Sequence, residues 1–143
     1  MRRIIAFLLS LIIVTGCSYT ALASETVGIT DEPVLRSSNV YSTSTSLTIS
    51  NSGKATVNNS YIGFSGITTG GKITTKVQKK IGVIWVTVSG GSWTDTSSAT
   101  NYSKSHSVQL SSTGTYRAHV VFVISGTGGP DDKITKNVQK TYS

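Results

Sequence analysis

The sequence predicts an all-β protein, a single seven-stranded antiparallel β-sandwich without a disulfide. From about Ser44 onward, β-branched and aromatic residues alternate with polar ones, which is the period-two pattern of half-buried strands. Turns rich in Gly, Ser and Asn separate these runs at intervals of roughly 8–15 residues, the spacing expected of a sandwich. No helical period follows Ser24, and the one cysteine of the 143-residue chain, Cys17, excludes a disulfide framework.

Residues 1–23 are predicted to be a signal peptide. Arg2 and Arg3 precede an apolar run over residues 4–14, which is shorter than the roughly 20 residues of a spanning helix. Cleavage after Ala23, at a small-x-small sequence, would release a secreted chain. Residues 14–17 also resemble a bacterial lipobox, so the alternative is a chain lipidated on Cys17 and anchored at the cell surface.

Residues 24–43 are predicted to form an acidic, Ser-rich arm or linker ahead of a basic domain at residues 44–143. Three of the six acidic residues of the chain, Glu25, Asp31 and Glu32, lie in the arm beside a single Arg36. The domain carries ten Lys or Arg residues against three Asp residues, a formal charge of +7. A short, polar and acidic segment of this kind is typical of a weakly ordered arm.

Seven strands account for the domain. The first two form a hairpin across Asn51-Ser52-Gly53, because Asn and Gly tolerate positive φ. The sixth is the most apolar and is placed at the centre of its sheet, whereas Lys136 between Ile134 and Val138 requires a bulge or an edge position for the seventh. The predicted strands span residues 44–50, 54–64, 72–80, 84–88, 105–110, 115–125 and 133–142.

Residues 110–118 resemble the segment that enters the sixth strand of immunoglobulin-like domains. In that segment a small residue stands two positions before a Tyr whose hydroxyl bonds back to upstream backbone, and Gly114 and Tyr116 match it. Ala118 replaces the disulfide Cys of antibody domains. The resemblance is therefore to a disulfide-free relative, nearer to fibronectin type III domains.

Several short motifs lie along residues 44–143 behind the predicted signal peptide: Gly53-Lys54, Gln78-Lys79-Lys80, Trp85 and residues 114–117. With these motifs, residues 44–143 as a whole resemble a group of small secreted domains of uncharacterised function from Gram-positive, often gut, bacteria. The resemblance implies a fold and an extracellular location but no activity.

The sequence predicts neither an enzyme nor a cofactor or metal site. The two histidines are His106, expected at the end of a strand in the core, and His119, expected to face solvent. No acid stands at a spacing that would orient either one as a catalytic base, and Asp95 is predicted to lie alone in a loop. Asp131 and Asp132 are interpreted as part of a Gly-Pro-Asp-Asp turn rather than calcium ligands, and a hydrolase is kept only as a remote alternative.

The basic residues predict a cationic sheet face. If Ile73 and Val77 face the core, Lys72, Lys76 and Lys80 on the third strand face outward, because side chains alternate with period two. Arg117 and His119 on the sixth strand face outward by the same alternation. The third and sixth strands pair in immunoglobulin-like sandwiches, which would merge both sets. The alternative is that these residues keep the domain soluble and block edge pairing. The predicted set is Lys72, Lys76, Lys80, Arg117 and His119.

Two further aromatic residues, Trp93 and Tyr102, flank the predicted loop 94–101 and form a candidate sugar-stacking platform. The alternative is that they cap the core. Trp85 is expected either in the core or beside the basic residues.

We expect a secreted, non-catalytic module that binds an extracellular ligand, an anionic cell-wall or glycan polymer, through the basic sheet face. The alternative from another class is a secreted antagonist, either an antibacterial effector or an inhibitor acting on a protein partner. Nucleic acid is disfavoured because no stacking aromatics stand among the lysines, and membrane attachment is expected only if Cys17 is lipidated.

Overall fold

The computed structural model describes residues 37–143, which contain strands and turns and no helix. The signal peptide, most of the arm and Cys17 lie outside the described residues. The seven strands are β1 (Val40–Ile49), β2 (Lys54–Gly63), β3 (Thr68–Ile81), β4 (Ile84–Ser97), β5 (Asn101–Gln109), β6 (Gly114–Gly126) and β7 (Asp132–Tyr142).

The strands form two antiparallel sheets, ordered β1-β2-β5 and β4-β3-β6-β7. The prediction of an all-β, disulfide-free chain is confirmed for the described residues. The β1–β2 hairpin and the pairing of the third strand with the sixth also match the prediction, and β6 lies inside its sheet between β3 and β7. β7 is an edge strand with a regular register, so the edge position, rather than a bulge, accommodates Lys136.

The fourth strand is the largest departure from the prediction, which ended it at residue 88 and placed a loop over residues 89–100. β4 instead continues to Ser97 after a local interruption, where the register against β3 shifts between Lys76 and Gln78. Gly90 provides the left-handed turn within this bulge, with φ of 71°. Residues 92–97 beyond it resume the ladder, and pairing with β3 overrides the low strand propensity of the Ser and Asp residues among them.

Three other strands begin earlier than predicted. β1, β3 and β5 start at Val40, Thr68 and Asn101, whereas the predicted starts were residues 44, 72 and 105. The additional residues are mostly Ser, Thr, Gly and Asn, which are typical of turns in an isolated sequence. In the folded domain their backbone groups pair across the sheet, which leaves shorter connections than expected.

The core lies between the two sheets and takes residues from both. The predicted inward phase of Ile73, Thr75 and Val77 is confirmed, since all three are fully buried. Asn59 of β2 donates its side-chain amide to Thr75 Oγ1 at 2.8 Å, so a satisfied polar link joins the sheets inside the core. The buried hydrophobic residues are Val40, Leu47, Ala55, Val57, Tyr61, Ile73, Val77, Leu110, Tyr116, Ala118, Val120, Phe122 and Ile124.

Asp132 secures the segment that leads into β1. Its carboxylate accepts hydrogen bonds from the backbone N–H groups of Ser38, Asn39 and Val40 at 3.0, 2.7 and 3.0 Å. The buried Asn39 side chain donates in turn to the Pro130 carbonyl at 2.7 Å. Asp132 thus stabilises the contact between β1 and the β6–β7 turn.

Tyr116 closes the opposite end of the domain. Its ring is buried and its hydroxyl donates to the Ser112 carbonyl at 2.6 Å, which is a back-bond of the kind implied by the resemblance of residues 110–118 to immunoglobulin-like domains. This bond fixes the turn between β5 and β6.

We predict that Tyr116→Phe lowers the free energy of unfolding by about 1–2 kcal/mol, because it leaves the Ser112 carbonyl without its partner while preserving the ring. Chemical denaturation measures the loss. Tyr41→Phe removes the same atom from a ring that is 72% exposed and should change stability little. Equal effects of the two substitutions would contradict the role assigned to the bond.

Candidate functional site

The outer surface of the four-stranded sheet, named here the basic face, brings together all five predicted basic residues. Lys76 of β3 is the register partner of His119 on β6, and Gln78 is the partner of Arg117. Their neighbours in sequence, such as Val77 and Ala118, are fully buried, so the alternating residues point to the opposite side of the sheet. The residues in question are Lys72, Lys76, Lys80, Arg117 and His119.

The lysines on β3 form a regular row. Each is four residues from the next, which corresponds to about 13 Å along a strand and about 26 Å from Lys72 to Lys80. Lys133 on β7 has the same orientation, because its register partner is Val123 of β6. The sequence analysis missed Lys133, since the phase of the last strand was ambiguous without its pairing.

The positive charges of this face have no carboxylate partners among residues 37–143. The one ion pair in that part of the chain joins His106 to Asp95, which lie elsewhere. Asp132 is engaged by backbone N–H groups of the segment before β1. The basic face therefore carries a positive potential that is available to an anionic ligand.

Trp85 lies on the basic face, which decides between the two positions considered for it. It pairs with Lys80 across the β3–β4 ladder, and the guanidinium carbon of Arg117 lies 4.4 Å from the centroid of its ring. Arg117 Nε also donates to Gln78 Oε1 at 2.8 Å. These two contacts hold the guanidinium flat on the sheet, and they correct the expectation that no aromatic residue stands among the basic ones.

A shallow groove of about 670 Å³ adjoins the basic face at the Lys72 end. Five of its ten lining residues carry a hydroxyl group, and Lys72 and Asp131 are the charged ones. Sequence reasoning missed the groove because it treated the segments on either side, residues 65–71 and 89–100, as loops. The lining hydroxyls belong to Thr69, Thr96, Ser97, Ser98 and Ser125.

Trp93 and Tyr102 are half-buried and pack against the core. The Trp93 ring stacks on His106, with ring centroids 4.8 Å apart and ring planes at 6° to each other. The centroid of the Tyr102 ring lies 6.1 Å from that of the buried Tyr61. They lie on β4 and β5 rather than on either side of an eight-residue loop. This arrangement corresponds to the core-cap alternative.

His106 has an acidic partner, contrary to the sequence analysis. Its Nε2 lies 2.7 Å from Asp95 Oδ2, and their side chains are 16% and 12% exposed. Asp95 belongs to β4 rather than a loop, so the pair joins the edge strands of the two sheets. Within the described region no hydrogen bond joins the His106 side chain to a serine or threonine hydroxyl.

His119 faces outward as expected. Its Nδ1 lies 2.9 Å from Asn137 Oδ1 of the neighbouring strand β7. The imidazole therefore lies on the basic face beside Lys76.

Residues 1–18 match the family "Prokaryotic membrane lipoprotein lipid attachment site". The match ends one residue after Cys17 and supports the lipid-anchored alternative over release after Ala23. No curated protein and no solved structure matches the chain. Among residues 37–143 there is no helix long and apolar enough to cross a membrane.

We predict that Asp95→Asn lowers the free energy of unfolding by about 1–2 kcal/mol, because the carboxylate loses its contact with His106 across the two sheets. Thermal or chemical denaturation measures the change. Asp131→Asn is the control, since that carboxylate is exposed. A loss from Asp131→Asn as large as that from Asp95→Asn would show that net charge, not the His106 contact, sets the effect.

We predict that the native chain incorporates labelled palmitate in a bacterial host and that Cys17→Ser abolishes the label, because Cys17 is the only thiol available. The released fraction should rise in the same variant. Labelling that survives the substitution, or a native chain that takes up no label, would contradict lipidation at Cys17.

Proposed function

We propose that this protein is a non-catalytic binding module of the bacterial cell exterior whose basic face binds an anionic cell-wall or glycan polymer. The observation that supports this most is the row of unpaired cations on one rigid sheet face. Teichoic acids and sulfated or sialylated glycans carry the complementary charge. The lipid attachment site at residues 1–18 is consistent with work at the cell surface.

The shape of the basic face favours a polymer over a small anion. A small anion is usually held by donors that converge in a pocket, whereas these cations are spread over about 26 Å of a flat sheet. Each exposed ion pair contributes little by itself, so useful affinity requires several at once. A chain of regularly spaced anions meets that requirement.

The Trp85–Arg117 stack adds a fixed element to this face. The Trp85 ring and Gln78 hold the guanidinium in place, so the Arg117 side chain loses less conformational entropy when it pairs with an anion. In our proposal Arg117 orients the ligand at one end of the face. The lysines, on flexible side chains, neutralise charge along the rest.

We further propose that the fold is immunoglobulin-like, nearer to fibronectin type III. In support, β1, β2 and β5 correspond to strands A, B and E of that architecture, and β3, β6 and β7 to strands C, F and G. The fourth strand joins β3, as the C′ strand does in variable-type domains. The Tyr116 bond to Ser112 supports the same assignment, and with it the proposed kinship to secreted domains of Gram-positive bacteria.

The proposal predicts retention on isolated Gram-positive cell walls or mucin that weakens between about 50 and 300 mM salt, because screening shortens the reach of exposed charges. The protein used is the chain from Ser18 onward. Replacing all three of Lys72, Lys76 and Lys80 by Ser should lower retention roughly tenfold or more. Co-sedimentation measures it.

The matched control replaces Lys54, Lys104 and Lys136 by Ser, which removes the same charge from positions off the basic face. It should retain most of the binding. Equal losses in the two triple variants, or retention that ignores salt, would contradict the proposal. Absence of retention on either material would shift the search to a protein partner, as for an antagonist.

A further inference from the structure

The hairpin that joins β3 to β4 exposes an unusual concentration of apolar side chains. Ile81, Val83, Ile84 and Val86, named here the apolar tip, are 55%, 94%, 58% and 42% exposed. They account for four of the six large hydrophobic residues exposed among residues 37–143. Since nothing in that part of the chain covers them, this end of the domain presents an apolar point to its surroundings.

Cations surround the apolar tip. Lys79 and Lys80 directly precede it on β3, and Arg117 lies over Trp85 next to it. Lys54 and Lys140 lie at the same end of the domain, where the β1–β2 and β5–β6 turns meet the end of β7.

The aspartate side chains of the described chain lie elsewhere. Asp131 and Asp132 stand at the start of β7, at the opposite end of the domain, and Asp95 lies on the edge strand β4 near the end of that strand that is far from the β3–β4 turn. Within residues 37–143, the surroundings of the apolar tip are therefore positive and include no Asp or Glu.

Trp85 lies at the boundary between the apolar and the cationic residues. It is half-buried, follows Ile84 directly and carries Arg117 on its ring. Indole side chains concentrate at membrane–water interfaces, where one side of the ring is apolar and the other is hydrated. From the turn inward, the Ile81–Ile84 pair comes first, the Lys80–Trp85 pair second and the Lys79–Val86 pair third.

We propose that this end of the domain docks on an anionic lipid bilayer. The apolar tip enters the boundary between head groups and acyl chains, while Lys80 and Arg117 pair with lipid phosphates. The hairpin continues as two strands beyond Lys79 and Tyr116, the last β3–β6 pair, so the apolar tip is narrow. This shape and the positive surroundings favour a bilayer over a protein surface, which would require a broader complementary area. Lys80 and Arg117 also belong to the basic face, so what separates this proposal from polymer binding is the apolar tip, which polymer binding does not use.

The apolar tip and the start of β1 lie at opposite ends of the domain, because β3 runs away from the end at which β1 begins. Docking by the tip would therefore be a second membrane contact, separate from any lipid carried on the segment before β1. It must be measured on protein without that lipid, because the lipid alone would hold the protein on vesicles.

The test uses the chain from Ser18 onward, which contains no cysteine, and vesicles of phosphatidylcholine with or without phosphatidylglycerol. We expect sedimentation with the anionic vesicles and little with the neutral ones. Replacing both Val83 and Ile84 by Asp should lower the bound fraction at least roughly fivefold. Ile62→Asp, at a site that is 49% exposed on the other sheet, should leave it unchanged.

In the chain from Ser18 onward, Val83→Cys introduces the only thiol, so an environment-sensitive dye can be attached at that position alone. Such a dye reports insertion of the apolar tip directly. Its emission should rise and shift to the blue with anionic vesicles, whereas the same dye on Tyr41→Cys should not respond. A wild-type chain that ignores anionic vesicles, a Val83/Ile84 double variant that binds normally, or an unresponsive dye at position 83 would each overturn the proposal. Melting curves verify that the variants are folded, as the substituted side chains are exposed.

Two cross-checks separate this proposal from polymer binding. The double variant with Lys72 and Lys76 changed to Ser should still bind anionic vesicles, because these residues lie away from the apolar tip. The Val83/Ile84 double variant should still be retained on cell walls. Loss of vesicle binding in the lysine variant would overturn docking through the tip and assign lipid binding to the basic face.

Discussion

The register between β3 and β6 is the constraint on which the rest of the structure depends. On one side of the sheet it places Ile73 opposite Phe122 in the core, and on the other it places Lys76 opposite His119. Because side chains alternate with period two, a slip of one residue would expose the apolar set and bury the cations. The free energy gained by burying the core therefore also fixes the positions of the charged side chains. Contacts among the charged side chains are not needed for this.

The sequence was sufficient for features that depend on local alternation. The inward phase of Ile73 and Val77 predicted the outward phase of Lys72, Lys76 and Lys80. The resemblance of residues 110–118 to an immunoglobulin-like segment implied that the Tyr116 hydroxyl bonds to upstream backbone, as it does to Ser112. Features that depend on pairing between distant segments were missed. The extension of β4 arises only once β4 has paired with β3. The groove, the position of Asp95 on a strand and the contact of Asp95 with His106 all depend on that extension.

The two ends of the domain differ in chemistry. Asp131 and Asp132, several hydroxyl groups and the entry of the chain lie at one end, while the apolar tip and a concentration of cations lie at the other. The basic face connects them. The proposed roles follow this division: an anionic polymer along the sheet and an anionic bilayer at the tip, with lipid attachment at residues 1–18 keeping the protein at the cell surface.

The most direct test of the account is a map of amide chemical shifts of the isotope-labelled chain from Ser18 onward during titration with a soluble sulfated glycan or a teichoic acid fragment. The account predicts that the largest shifts fall on the outward-facing residues of β3 and β6 and on the indole N–H of Trp85, and that they decline as salt is raised. Shifts concentrated on β1, β2 and β5, or an unchanged spectrum at low salt, would contradict the assignment of the basic face as the binding surface.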